Sequence, residues 1–133
     1  MDLKGALGLG PEFTFEGQTY KLAPLQIQHY AQFSAWLERR AFEAVERAQA
    51  VLAPAAFDAA LARVTRDCAT GVYDYGTDTY AAAVVSPPGF KRLLLYALQV
   101  HQPQLDEEFV ERLVAAKLPL AQRLAREATE TGT

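Results

Sequence analysis

The stretch Phe13-Thr14-Phe15-Glu16-Gly17-Gln18-Thr19-Tyr20-Lys21-Leu22-Ala23-Pro24-Leu25 constrains the fold of this chain more than any other. Large apolar residues alternate with polar ones on both sides of a glycine: Phe13 and Phe15 before it, Tyr20 and Leu22 after it. A period of two, built from aromatic and β-branched residues, is the pattern of a half-buried strand. Gly17 supplies the positive φ that a tight turn requires. The segment therefore reads as a β-hairpin with Phe13, Phe15, Tyr20 and Leu22 on one face. A lone hairpin is marginal in water, so a helix must cover that face. Pro24 breaks the second strand and pre-sets the first turn of a helix.

Everything after the hairpin has helical periodicity. From Leu25 to Leu52, Ile27, Tyr30, Phe33, Leu37, Ala41, Ala44, Val45, Ala48 and Leu52 recur at steps of three and four. Trp36 sits beside that stripe and Phe42 on another face. The Glu and Arg residues between them are spaced for ion pairs on a wet surface. Pro54 opens a second helix with Phe57, Leu61, Val64 and Cys68 as its stripe, and Thr70-Gly71 closes it. Residues 72–78 are rich in turn formers, with two tyrosines, and read as a loop or a short extended piece. Asp78 is placed to N-cap a short third helix through Val85. A strand over Tyr80–Val85 is the alternative, weakened by three consecutive alanines.

Ser86-Pro87-Pro88-Gly89 is a hard break, and Ser86 or Pro88 starts the next helix. Its Phe90, Leu93, Leu94, Ala97, Leu98 and Val100 make it the central one. His101-Gln102-Pro103 ends it. Asp106 N-caps a helix with Glu107 and Glu108 in its first turn, favourable against the helix dipole. Pro119 starts a last helix carrying Leu120, Leu124 and Ala128. The predicted architecture is mainly α, an N-terminal β-hairpin followed by a compact bundle of about five to six helices. Residues 12–130 form one domain, with the hairpin at 12–23. Residues 1–11 hold three glycines and a proline and are expected to be a flexible arm.

Composition removes several classes of function. Half the residues are hydrophobic and 22% are charged, enough for a core and unlike a disordered chain. The net charge of −3 is spread evenly, so no basic face forms for nucleic acid. No apolar run reaches the roughly 18 residues of a membrane span, and no signal peptide is evident. The expected place is the cytoplasm. Cys68, the single cysteine, reads as a small apolar residue. His29 and His101 lie near helix ends, without Cys, Asp or Glu at metal-ligand spacing. No phosphate loop, dinucleotide fingerprint, nucleophile elbow or His-Glu-x-x-His motif occurs. The chain is expected to be no enzyme, with no catalytic residue, metal or cofactor.

What remains is surface. A domain of this size has difficulty burying Trp36, Phe42, Tyr73, Tyr75 and Tyr80 together, and aromatic rings are enriched where proteins bind proteins. The alternative for each ring is that it caps the core. The hairpin offers a sheet edge to which a partner can add a strand. The candidate partner-binding residues are Phe13, Tyr20, Trp36, Phe42, Tyr73 and Tyr75.

Two motifs carry a family resemblance over roughly residues 13–115. The first is Phe13-x-Phe15-x-Gly17-x-x-Tyr20-x-Leu22-x-Pro24-Leu25, followed by the long helix with Trp36. The second is Pro88-Gly89-Phe90…Leu93-Leu94…Ala97-Leu98…His101-x-Pro103-x-Leu105-x-x-Glu108. Together they resemble the tail assembly chaperones of long-tailed phages and prophages. The resemblance implies a mostly helical protein that binds the tape measure protein and keeps it soluble in the host cytoplasm while the tail tube polymerises. It also implies self-association, possible contact with the tail tube protein, and no catalytic residues or cofactor. A frameshifted longer form often accompanies such chaperones, and this chain would correspond to the shorter product. Two readings compete: a structural virion component, such as a head–tail connector or tail completion protein, and a bacterial helical adaptor.

Overall fold

A computed structural model of the chain describes residues 11–131. Two antiparallel strands, β1 (Glu12–Phe15) and β2 (Gln18–Lys21), come first. Six helices follow among the described residues: α1 (Ile27–Ala48), α2 (Pro54–Ala69), α3 (Asp78–Val85), α4 (Pro87–Gln99), α5 (Glu107–Ala116) and α6 (Leu118–Thr131). The fold is mainly helical with an N-terminal hairpin, as the periodicity indicates. The arm expected over 1–11 lies, apart from Pro11, outside the described residues. Contacts divide the chain into two compact units. Of the described residues, unit 1 holds 11–29 and 83–131; unit 2 is Tyr30–Ala82.

In unit 1 the hairpin pairs Phe13 with Tyr20 and Phe15 with Gln18. Its turn is Glu16-Gly17, with φ of 51° and 78°, the left-handed pair of a two-residue hairpin loop. The sequence singles out Gly17, but Glu16 shares the strain. A hydrogen bond from Leu22 N–H to Pro11 C=O, 2.9 Å, extends the ladder by one pair. The covering helix is α5. The Phe109 ring lies 5.7 Å from Phe15, edge-on, and 4.9 Å from Tyr20, while Phe13 stacks on Tyr20 at 5.6 Å.

Residues 21–25 run over helix ends as a third strand would run over a sheet. Lys21 is bonded by Gln102, Ala23 N–H donates to Ala97 C=O, and Leu25 N–H donates to Ala128 C=O, both at 3.1 Å. Ala97 and Ala128 lie in the last turns of α4 and α6, where carbonyls have no partner inside the helix. The extended segment supplies those partners. α1 begins at Ile27 rather than Leu25. Leu22, Leu25, Leu93, Leu94, Leu98, Val110, Leu113 and Leu124 are fully buried around this junction. Each contributes about 1.5–3 kcal/mol relative to an exposed side chain.

Caps fall close to their expected places. Ser86 caps α4 by accepting from Gly89 N–H at 3.2 Å, and Asp106 caps α5 by accepting from Phe109 N–H at 3.1 Å. Gly89 is buried where α3 meets α4: a Cβ there would stand 1.7 Å from the Ala83 carbonyl oxygen. The expectation for α3 needs a correction. Its cap is Thr77, whose hydroxyl accepts from Tyr80 N–H at 3.1 Å, and Asp78 is already inside the first turn.

Unit 2 takes α1 from Tyr30 onward, α2, the loop after it, and most of α3. Its core is aromatic. Phe33 is fully buried, 5.3 Å from Trp36 and 5.1 Å from Tyr80, ring centre to ring centre. α1 stops at Ala48, whose carbonyl takes the amides of Val51 and Leu52, so Leu52 belongs to the turn and not to the helical stripe. Ile27, which the periodicity puts on the buried stripe, is 85% exposed at the first turn of α1.

Candidate partner-binding surface

The six candidate residues separate by burial. Phe13 and Tyr20 are buried in the hairpin face against α5, and Trp36 is buried beside Phe33. Their rings are committed to the chain's own packing. Phe42 and Tyr73 are half-buried, and Tyr75 is 61% exposed. The structure brings Trp36, Tyr75, Phe42 and Tyr73 into unit 2, and leaves Phe13 and Tyr20 in unit 1.

Around Tyr75 the rings form a cluster that the sequence does not reveal. Tyr75 lies 4.9 Å from Tyr30 and 5.4 Å from Tyr80, and Tyr80 meets Phe33. Positive φ at Gly71 and Gly76, 79° and 92°, bends the loop that brings Tyr75 there. Only glycine takes such backbone without strain. Thr77 fixes the loop's end, its hydroxyl donating to the carbonyls of Val72 and Asp74 at 2.8 Å. The Tyr30 hydroxyl is buried and has no hydrogen-bond partner among the described residues. Burial, and then the neighbouring Tyr75, push the Tyr30 phenol up, so it stays a neutral donor. Arg40 stands 4.7 Å over the Trp36 ring and roofs the cluster's other end.

Beyond this cluster the apolar surface of unit 2 is only half covered. From Leu37 to Thr79 no residue reaches core burial. That span includes all of α2 and still carries Leu37, Phe42, Val45, Phe57, Leu61 and Val64. Its turn adds Val51, 84% exposed. The charges along it, from Glu38 to Asp67, are mixed in sign.

Cys68 is half-buried, and burial, then Glu38 and Asp67, push its thiol up, away from a nucleophilic thiolate. His29, near the start of α1, is buried, with Nδ1 accepting from Gln26 N–H at 2.8 Å. Burial pulls its pKa down, which keeps it neutral. His101 is exposed. No group of His, Cys, Asp and Glu among the described residues is arranged to hold a metal ion, and none of the described helices is long and apolar enough to cross a membrane.

Comparison with protein families, with curated proteins and with solved structures finds no match in any of the three.

Proposed function

We infer that this chain is a non-enzymatic tail assembly chaperone of a long-tailed phage or prophage, which binds the tape measure protein and keeps it soluble during tail tube assembly. One observation carries the reading: the helical pair α1–α2 retains an apolar stripe from Leu37 to Val64 without one fully buried residue. Helices gain most of their stability by burying such a stripe against another element. A tape measure chain is long and helical and has stripes of its own to cover, so each partner supplies the apolar surface that the other lacks. The motif resemblance and the hairpin-plus-helices fold support the same reading. Of the candidate rings, Phe42, Tyr73 and Tyr75 are the ones the core leaves accessible to a partner.

The test is co-expression with the long, helix-rich open reading frame beside this gene, read by solubility and by size exclusion with light scattering. The expected outcome is that the long protein is soluble only with this chain, in a complex absent from finished particles. Solubility of the long protein alone, with this chain found in purified particles, overturns the reading in favour of a structural virion component.

A further inference from the structure

Among the described helices, α2 alone has no buried residue, whereas α4 buries six and α5 three. Its apolar side, with Phe57, Val64 and Cys68, is half-buried, and so is the α1 stripe of Leu37, Ala41, Val45 and Ala48. Burial, then the Glu38 carboxylate of α1, push the Cys68 thiol up, so the two sides meet there. No α2 side chain forms an ion pair or bonds another element among the described residues; Thr65 donates to Leu61 C=O within the helix. The start of α2 is also unsecured. Ala53 has the extended backbone of a cap, φ −63° and ψ 150°, but no side chain to bond the first amides. The next three helices have Thr77, Ser86 and Asp106 for that purpose. Both flanks are jointed, by the turn at 49–53, with Val51 84% exposed, and by Gly71 at φ 79°.

A helix is held in a fold mainly by the apolar area it buries, and one of 16 residues is marginal by itself. Local unfolding starts where buried contact is least. α1 is secured differently, since Tyr30, Phe33 and Trp36 bury its first half. We propose that α2 is a lid, which opens from the α1 stripe as one unit by local unfolding while α1 and the core of unit 1 stay folded. Opening uncovers Leu37, Ala41, Val45 and Ala48 together, the run that a helical partner would take. That use rests on the reading above; the opening belongs to the free chain.

The experiment uses the full chain, and Cys68, its single cysteine, is a probe already in place on the closing face. Amide exchange by mass spectrometry and labelling of Cys68 by N-ethylmaleimide are followed under native conditions, where both track the opening equilibrium. The α2 amides are expected to exchange at least roughly a hundredfold faster than those of α4. Ala53→Ser supplies the missing cap at an exposed site. It should slow α2 exchange and Cys68 labelling about fivefold, leaving α1 and α4 as they are. Ala59→Gly, exposed in mid-helix, should quicken both about fivefold. If that variant melts α2 outright, Ala53→Ser alone decides. Amides of α2 as slow as those of α4 overturn the lid. So does a cap that slows α1 from Leu37 onward equally, because unit 2 then opens as a whole. Unchanged Cys68 labelling in Ala53→Ser also overturns it, because the helix then only frays at its far end. Capture of the long protein in co-expression should fall in Ala53→Ser by the same factor as the opening; unchanged capture overturns the link between opening and binding. A fast α2 with failure of the co-expression test keeps the lid and removes the chaperone reading. A slow α2 with success in that test removes only the lid.

Discussion

The side-chain amide of Gln102 closes a two-point bridge on the backbone of Lys21. Gln102 Oε1 accepts from Lys21 N–H at 2.7 Å, and Nε2 donates to Lys21 C=O at 3.0 Å. An amide side chain thus takes the place of one residue of a third strand, at the edge of β2. Nε2 also donates to Leu98 C=O at 2.6 Å, which ties the hairpin to the last turn of α4. A strand added by a partner finds this part of the β2 edge already occupied.

Removing that bridge should loosen the hairpin without disturbing the helices. Gln102→Ala is expected to lower stability by about 1–2 kcal/mol, since it removes bonds worth about 1 kcal/mol each at a wet edge. Chemical denaturation should show a lower midpoint with an unchanged slope. Amide exchange at Lys21 should quicken, with α5 and α6 unaffected.

Two glycines should respond differently to alanine. At Gly89 the added methyl meets backbone, the Ala83 carbonyl, which cannot swing away. Gly89→Ala is expected to cost about 3 kcal/mol. At Gly17 nothing lies within 4 Å, and only the φ of 78° opposes a side chain. Gly17→Ala is expected to cost about 1 kcal/mol. Thermal melts of the two variants check the order.

The neutral, buried His29 should make stability depend on pH. Its folded pKa lies below the ordinary 6.5, so the unfolded chain binds a proton more readily. The contribution is whole above about pH 6.5, and it is lost as the pH falls through the folded value. Protonation would also place a proton on Nδ1, which now accepts from Gln26 N–H. Denaturation midpoints from pH 8 to pH 5 should fall below about pH 6.5, and His29→Gln should flatten that stretch of the curve.

Burial also separates residues that stabilise unit 2 from residues free to bind. Trp36→Ala is expected to cost about 3 kcal/mol or more, because the ring is buried against Phe33. Leu61→Ser and Val51→Ser, at 36% and 84% exposed, should stay within about 0.5 kcal/mol. If the α1–α2 stripe is the binding face, the second pair should weaken partner capture while melting like wild type. Melting temperature and co-expression yield, measured on the same variants, separate the two effects.

The local sequence decided what local chemistry can decide. Alternation around Gly17 produced the hairpin. Ser86 and Asp106 started helices, because their short side chains reach an unbonded amide three residues on. Thr70-Gly71 and the prolines marked helix ends, and Phe13, Phe15 and Tyr20 belonged to a face that a helix had to cover. The identity of that helix, α5 with Phe109, depended on contacts across more than eighty residues, which no local pattern encodes. The same holds for Leu25, whose N–H donates to the Ala128 carbonyl, far along the chain. Among the candidate rings, composition supplied the aromatics but not their burial. Trp36 and Phe42 sit on one helix with similar propensities, yet only the packing of Phe33 and Tyr80 made the first a core residue. The cluster at Tyr75 joins residues distant along the chain, so only the tertiary structure reveals it.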